Sequence, residues 1–160
     1  MDEFKKFLDG GIVDFHQGMF NSAIETLTKA IELDKNSALA YFFRGAAYHS
    51  IEEYNEAMLD YTKAISLDAN MVDAYYNRAK IILSRKDIQN PDIEKAVKDL
   101  NIALELDPKF ADALYAMAAA YKKLEDYHKT LEYLERLLQV SPDHIYGRAL
   151  KKLILQKYII

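Results

Sequence analysis

The chain has 160 residues, 51% of them hydrophobic and 29% charged, with 21 basic against 25 acidic side chains and a formal net charge of -4. That balance supplies no global basic field of the kind that draws a protein onto nucleic acid. The absence of cysteine removes disulfides, thiol chemistry and cysteine-ligated zinc. The N-terminal stretch MDEFKKFLDG is acidic and amphipathic without a long apolar core. Neither a secretory signal nor a membrane span is therefore expected, and the chain reads as cytoplasmic.

Taken in order, Phe4, Phe7, Leu8, Ile12 and Phe15 recur at helical spacing and predict a helix over 3–17 closed by Gly18. A second helix over 21–33, capped by Asn21 or Ser22, presents Ile24, Leu27, Ala30 and Ile31 inward. Helices over 37–50, 54–67 and 72–85 follow in the same rhythm. The stretch RKDIQNPD at 85–92 then breaks it, with Asn90, Pro91 and Asp92 reading as N-cap, first helical residue and first-turn acid. An enlarged turn on the edge of the fold is expected there, serving either as an added loop for binding or as a tolerated surface insertion. Further helices are predicted over 91–106, 109–124 and 127–140. Beyond Pro142 the tail reads as one terminal helix that covers the preceding elements with Tyr146, Ala149, Leu150 and Leu153, while Leu155 and Ile159 point away.

The rhythm is a repeat. Gly45, Tyr54, Ala57 and Ala64 each lie 34 residues after Gly11, Phe20, Ala23 and Ala30. Tyr41 and Gly45 meet Tyr75 and Ala79 at the same spacing, but Ala57 and Ala64 meet Ala96 and Ala103 at 39, which places a five-residue insertion between Ala79 and Ala96. Spacing then returns to 34 at Thr130 and Leu137. With its small residues at close-approach slots and the endings AIELDKN, AISLDAN and ALELDPK, the sequence resembles the tetratricopeptide repeat (TPR) family. It departs from that pattern where the family carries Trp, a slot holding Phe7, Tyr41, Tyr75 and Leu114, and closing prolines stand only at Pro108 and Pro142. The resemblance implies an all-α solenoid of antiparallel helix pairs, a right-handed superhelix of about nine helices. It would form one domain over 1–160 with repeats at 4–37, 38–71, 72–110 and 111–143 and a capping helix at 144–160.

Residues that could carry chemistry are sparse. The glycines form no phosphate cradle, and no nucleophile stands with a base. His16 and His49 occupy matching first-helix slots, yet no carboxylate accompanies them at metal-ligand spacing. The chain is accordingly expected to be no enzyme, with no catalytic residue, metal or cofactor.

What the resemblance implies is a protein-protein interaction module whose first helices line a concave groove for a peptide or helical segment of a partner. Matching slots give Leu8, Ile12 and Phe15, then Leu39, Phe42 and His49, then Tyr76, Asn77 and Lys80, then Tyr115 and Lys122. The chaperone-binding branch of the family grips a C-terminal carboxylate with Lys, Arg and Asn residues, and this chain lacks that clamp. Its slots hold Leu8, Ile12, Phe43, Asp73 and Asn77 in one frame and Phe42, Ala46, Asn77, Asp112 and Ala116 in the next. The alternative is a scaffold that pairs two copies through Leu155, Tyr158 and Ile159 on the apolar tail.

Overall fold

A computed structural model describes residues 2–158, and among them the chain forms nine α-helices: α1 Glu3–His16, α2 Phe20–Leu33, α3 Ala38–Ser50, α4 Tyr54–Leu67, α5 Val72–Ser84, α6 Asn90–Leu106, α7 Ala111–Lys123, α8 Tyr127–Val140 and α9 Ile145–Lys157. No strand occurs among the described residues. The helices gather into two compact units, one ending at Ile81 and the other beginning at Ile82.

Two kinds of turn alternate, each set by a particular residue type. The turns within the α1–α2, α3–α4 and α7–α8 pairs each hold one residue in the left-handed region, Gly18 at φ 75°, Glu52 at φ 65° and Glu125 at φ 61°. Glycine adopts that conformation freely, whereas the two glutamates hold it at a cost. The turn between pairs is an Asp turn. The Asp34, Asp68 and Asp107 carboxylates accept from the backbone N–H of Asn36, Asn70 and Lys109 at 2.9, 2.9 and 3.0 Å. Each side chain imitates a backbone turn and so ends its helix at that aspartate.

Two of the expected helix caps are displaced, and α7 starts at Ala111 where 109 was expected. Asn21 and Ser22 do not cap α2, which begins one residue earlier behind Met19 with no side-chain cap, and the Ser22 hydroxyl instead donates to Asp14 Oδ2 at 2.7 Å. Asn90 is likewise inside α6, with Gln89 at the cap position and Pro91 in the first turn. The insertion is therefore less a loop than a longer helix. α6 has 17 residues where α2, α4 and α8 have 14, so most of the added chain extends the helix and the remainder lengthens the turn at 85–89.

In the first unit, α1 to α4 and the start of α5 stack around three successive clusters. Ala30, Ile31 and Ala40 are covered by Phe4, Phe7, Leu8 and Tyr41. Ala23, Leu27 and Ala47 are covered by Leu8, Phe15, Phe20, Ile24 and Phe43. Ala46, Ala57, Tyr61, Ala74 and Ile81 are covered by Phe15, Phe42, Tyr48, Met58, Ile65 and Met71. A row of interface clusters in place of one centre is how a repeat array buries its apolar faces. Small residues permit the close approach: a Cβ on Gly11 would lie 2.5 Å from Leu27 Cγ.

The second unit repeats the scheme with α6 to α9, burying Leu100, Ala103, Leu114, Met117, Leu134, Leu137 and Ile154 completely. Here α9 is rotated from its expected setting. Tyr146, Ala149 and Leu153 are exposed and Leu150 is only half-buried, while Gly147 and Ile154 form the buried stripe. Gly147 decides that rotation, because a Cβ there would meet Leu137 Cδ2 at 2.7 Å and any larger residue would hold the helix away.

Candidate functional site

Four of the expected groove residues converge in the first unit. Phe15 from the end of α1, His49 from the end of α3, and Asn77 and Lys80 from α5 line a cavity of about 340 Å³ together with Ala46, Ser50 and Tyr61. Phe15 and His49 lie 34 residues apart, in the same slot of successive first helices, and Asn77 and Lys80 lie one turn apart on the first helix of the next repeat.

The cavity floor is Tyr61, fully buried on α4. Its hydroxyl lies 3.5 Å from His49 Nδ1, and the Asn77 side chain lines the same cavity. Burial pushes the Tyr61 phenol well above its ordinary value, against the opposing pull of Asn77, so it stays a neutral hydroxyl. Burial also lowers the His49 imidazole, and the Lys80 ammonium lowers it further. At neutral pH the cavity therefore holds one fixed cation, Lys80, among neutral hydrogen-bonding groups and one aromatic wall. Lys80 Nζ lies 6.0 Å from the Tyr76 ring centroid, which holds the cation beside an aromatic face.

The other expected residues are placed less uniformly. Leu39 is exposed and Ile12 half-buried. Leu8 bridges two interior clusters, and Phe42 packs at 5.3 Å against Phe43 and 5.9 Å against Tyr61, so both contribute to the core. In the second unit Tyr115 and Lys122 meet as expected, lining a cavity of about 250 Å³ with Ala119, Lys123 and Leu150. His144 tilts over Tyr115 at 5.1 Å. Of the residues expected to join two copies, Leu155 is exposed, Tyr158 stacks on Tyr127 of its own chain at 4.1 Å, and Ile159 lies outside the described residues.

Tyr61 is the member of the site that sequence reading missed. Its slot is filled by Leu27 one repeat earlier and Leu100 one repeat later, so it reads as packing. The signal was the hydroxyl, a polar tip at a position that its neighbours fill with pure hydrocarbon.

A family profile described as TPR repeat matches residues 11–51, 45–83 and 88–125, and one described as Fis1 C-terminal tetratricopeptide repeat matches 111–159. The chain belongs to the tetratricopeptide repeat family. The break in the match at 84–87 falls within the inserted segment. No curated protein matched the sequence. Among solved structures, the TPR chain is similar to a MamA protein at TM-score 0.86 and 22% identity, covering 97% of this chain and 82% of that one. It is similar to PilF of Pseudomonas aeruginosa at TM-score 0.82 and 19% identity, over 98% and 69% of the two chains. It also resembles the first TPR of Spaghetti (RPAP3), a structure bound to the HSP90 peptide SRMEEVD, at TM-score 0.69 and 24% identity over 77% and 94%. At these identities the likeness is one of fold. No described helix is long and apolar enough to cross a membrane, and no three described His, Asp or Glu side chains gather as a metal site.

Proposed function

We propose that this TPR protein binds a peptide or helical segment of a partner protein on the face where Phe15, His49, Tyr61, Asn77 and Lys80 meet. TPR repeats are in general non-enzymatic interaction scaffolds, and this chain belongs to the family. The observation that carries the finer reading is the cavity itself, which combines an aromatic wall with a single cation and several neutral donors and acceptors. An apolar side chain of the ligand packs on Phe15, and a carboxylate or amide near it meets Lys80 and Asn77.

The ligand differs from a chaperone tail. The Spaghetti TPR holds an HSP90 peptide that ends in EEVD, but here Asp73 is exposed at a slot where a clamp needs a cation, and Phe42, Phe43 and Ala46 occupy others. A terminal carboxylate would be repelled by Asp73. One side-chain acid reaching Lys80 is compatible with the site, and a paired carboxylate grip is not.

The test is affinity capture with mass spectrometry from the source lysate, comparing wild type with Lys80→Glu and Leu39→Asp variants. Both positions are exposed, so helicity by circular dichroism should be unchanged. A partner retained by wild type and lost from the folded variants supports the groove. Identical partners on all three proteins would remove it.

A further inference from the structure

α9 has the register of a first helix. Gly147 and Ile154 fall 34 residues after Ala113 and Ala120, and all four are buried. Lys151 Nζ reaches Glu135 at 3.2 Å with a separation of 16, the separation at which Arg44 and Arg78 reach Thr28 and Thr62. In the first two repeats such a helix receives its own second helix on the face marked by the Tyr41, Gly45 and Tyr48 slots. The approach is close, since a Cβ on Gly45 would lie 3.0 Å from Asp60 Cβ and 3.2 Å from Tyr61 Cδ1.

On α9 those slots hold Arg148, Lys152 and Leu155, all exposed, and no described helix covers them. What stands there is a groove of about 370 Å³ lined by Leu138, Arg148, Lys151, Lys152, Leu155 and Gln156. Its floor is hydrocarbon and its rim is cationic. Lys152 stands where the earlier repeats carry Gly11, Gly45, Ala79 and Ala118, so the tight packing of an ordinary TPR pair is barred. A helix seated here must stand further off and offer an anion to Lys152. Lys151 already has Glu135, which leaves exposed Arg148 and Lys152 to be matched.

We propose that this groove seats an acidic amphipathic helix of a partner protein, with apolar side chains between Leu138 and Leu155 and carboxylates on Arg148 and Lys152. A second α9 is a poor occupant, because the helix carries Arg148, Lys151, Lys152 and Lys157 and no acid. The seat uses none of the residues of the Phe15–Lys80 cavity, so the two sites stand or fall separately.

The experiment is a fluorescence-anisotropy titration of the full chain with a labelled synthetic helix bearing Leu along one face and Glu on its flanks. A Lys-for-Glu version and a scrambled version of equal composition serve as controls. The Glu helix should bind saturably, about tenfold tighter than either control, and should weaken as salt rises. The double variant Arg148→Glu, Lys152→Glu should reverse the preference toward the Lys helix. Leu155→Asp should abolish binding, and Lys80→Glu should leave it intact; circular dichroism confirms that each variant is folded. Equal binding of the scrambled helix, or unchanged binding by the charge-reversed variant, overturns the proposal. So does a light-scattering dimer that Leu155→Asp dissociates. Co-sedimentation with vesicles of equal parts phosphatidylcholine and phosphatidylglycerol, without helix binding, assigns the face to a membrane and also overturns it.

Discussion

Glu52 and Glu125 show how a repeat can keep a backbone conformation after losing the residue that favours it. Both stand in the left-handed region that Gly18 occupies in the first repeat. Glu52→Gly should raise stability by about 0.5–1 kcal/mol, the relief of left-handed strain less the added chain entropy of glycine. Urea denaturation of the single variant measures it. His49 gives a second consequence at this scale. Its folded value is lowered by burial and by Lys80, so the unfolded chain takes up its proton first as pH falls. The stability that follows is complete above the unfolded value of 6.5 and declines as pH drops through the lower folded value. His49→Gln should therefore flatten the melting temperature against pH as pH falls below 6.5, with Lys80 left in place.

Between elements, Arg44 does what apolar packing alone could not. Its guanidinium pairs with Asp60 through two bonds of 2.8 Å and donates to Thr28 at 3.1 Å, tying α3 to α4 and to α2 of the preceding pair. Burial pulls the Arg44 guanidinium down, and the hydrogen bond and charge of Asp60 outweigh it and leave it raised. Asp60→Ala would strand a half-buried cation and should cost about 3 kcal/mol, whereas Asp60→Ala with Arg44→Met should recover much of that. Thermal melts of the two variants read the difference. The same pattern of offsets makes α9 recognisable as a first helix, with Lys151 in the place of Arg44.

For the whole molecule, the consequence of modular packing is that an end must be covered. α9 covers Leu137 through Gly147 and buries Ile154 completely. A chain truncated after Asp143 should expose that surface, losing roughly 2–4 kcal/mol in the second unit for one or two uncovered aliphatic side chains. It should also bind a hydrophobic dye that the full chain ignores. Preserved dye exclusion and an unchanged melt would show that α9 is not needed as a cover.

Most of the fold was legible because its signals are local and repeated. Tyr54–Leu67 and Tyr127–Val140 begin and end where spacing predicts, and the endings LDKN, LDAN and LDPK are helix stops because an aspartate can accept from the N–H two residues on. The candidates Phe15, His49, Asn77 and Lys80 came from the slots that the family resemblance implies, and they line one cavity. What the apolar pattern of the tail alone did not single out was the buried side of α9, since Leu153 and Ile154 are equally apolar and differ by one step around the helix, whereas the 34-residue period carries the buried Ala113 and Ala120 onto Gly147 and Ile154. That choice belonged to Gly147, whose missing Cβ lets α9 close on Leu137. Nor could spacing show that Tyr61 reaches past its packing slot to His49 and Asn77. Sequence by itself determined the helices, their pairing and the family; tertiary structure decided the buried faces and which candidate side chains meet, because those depend on which neighbour a side chain packs against.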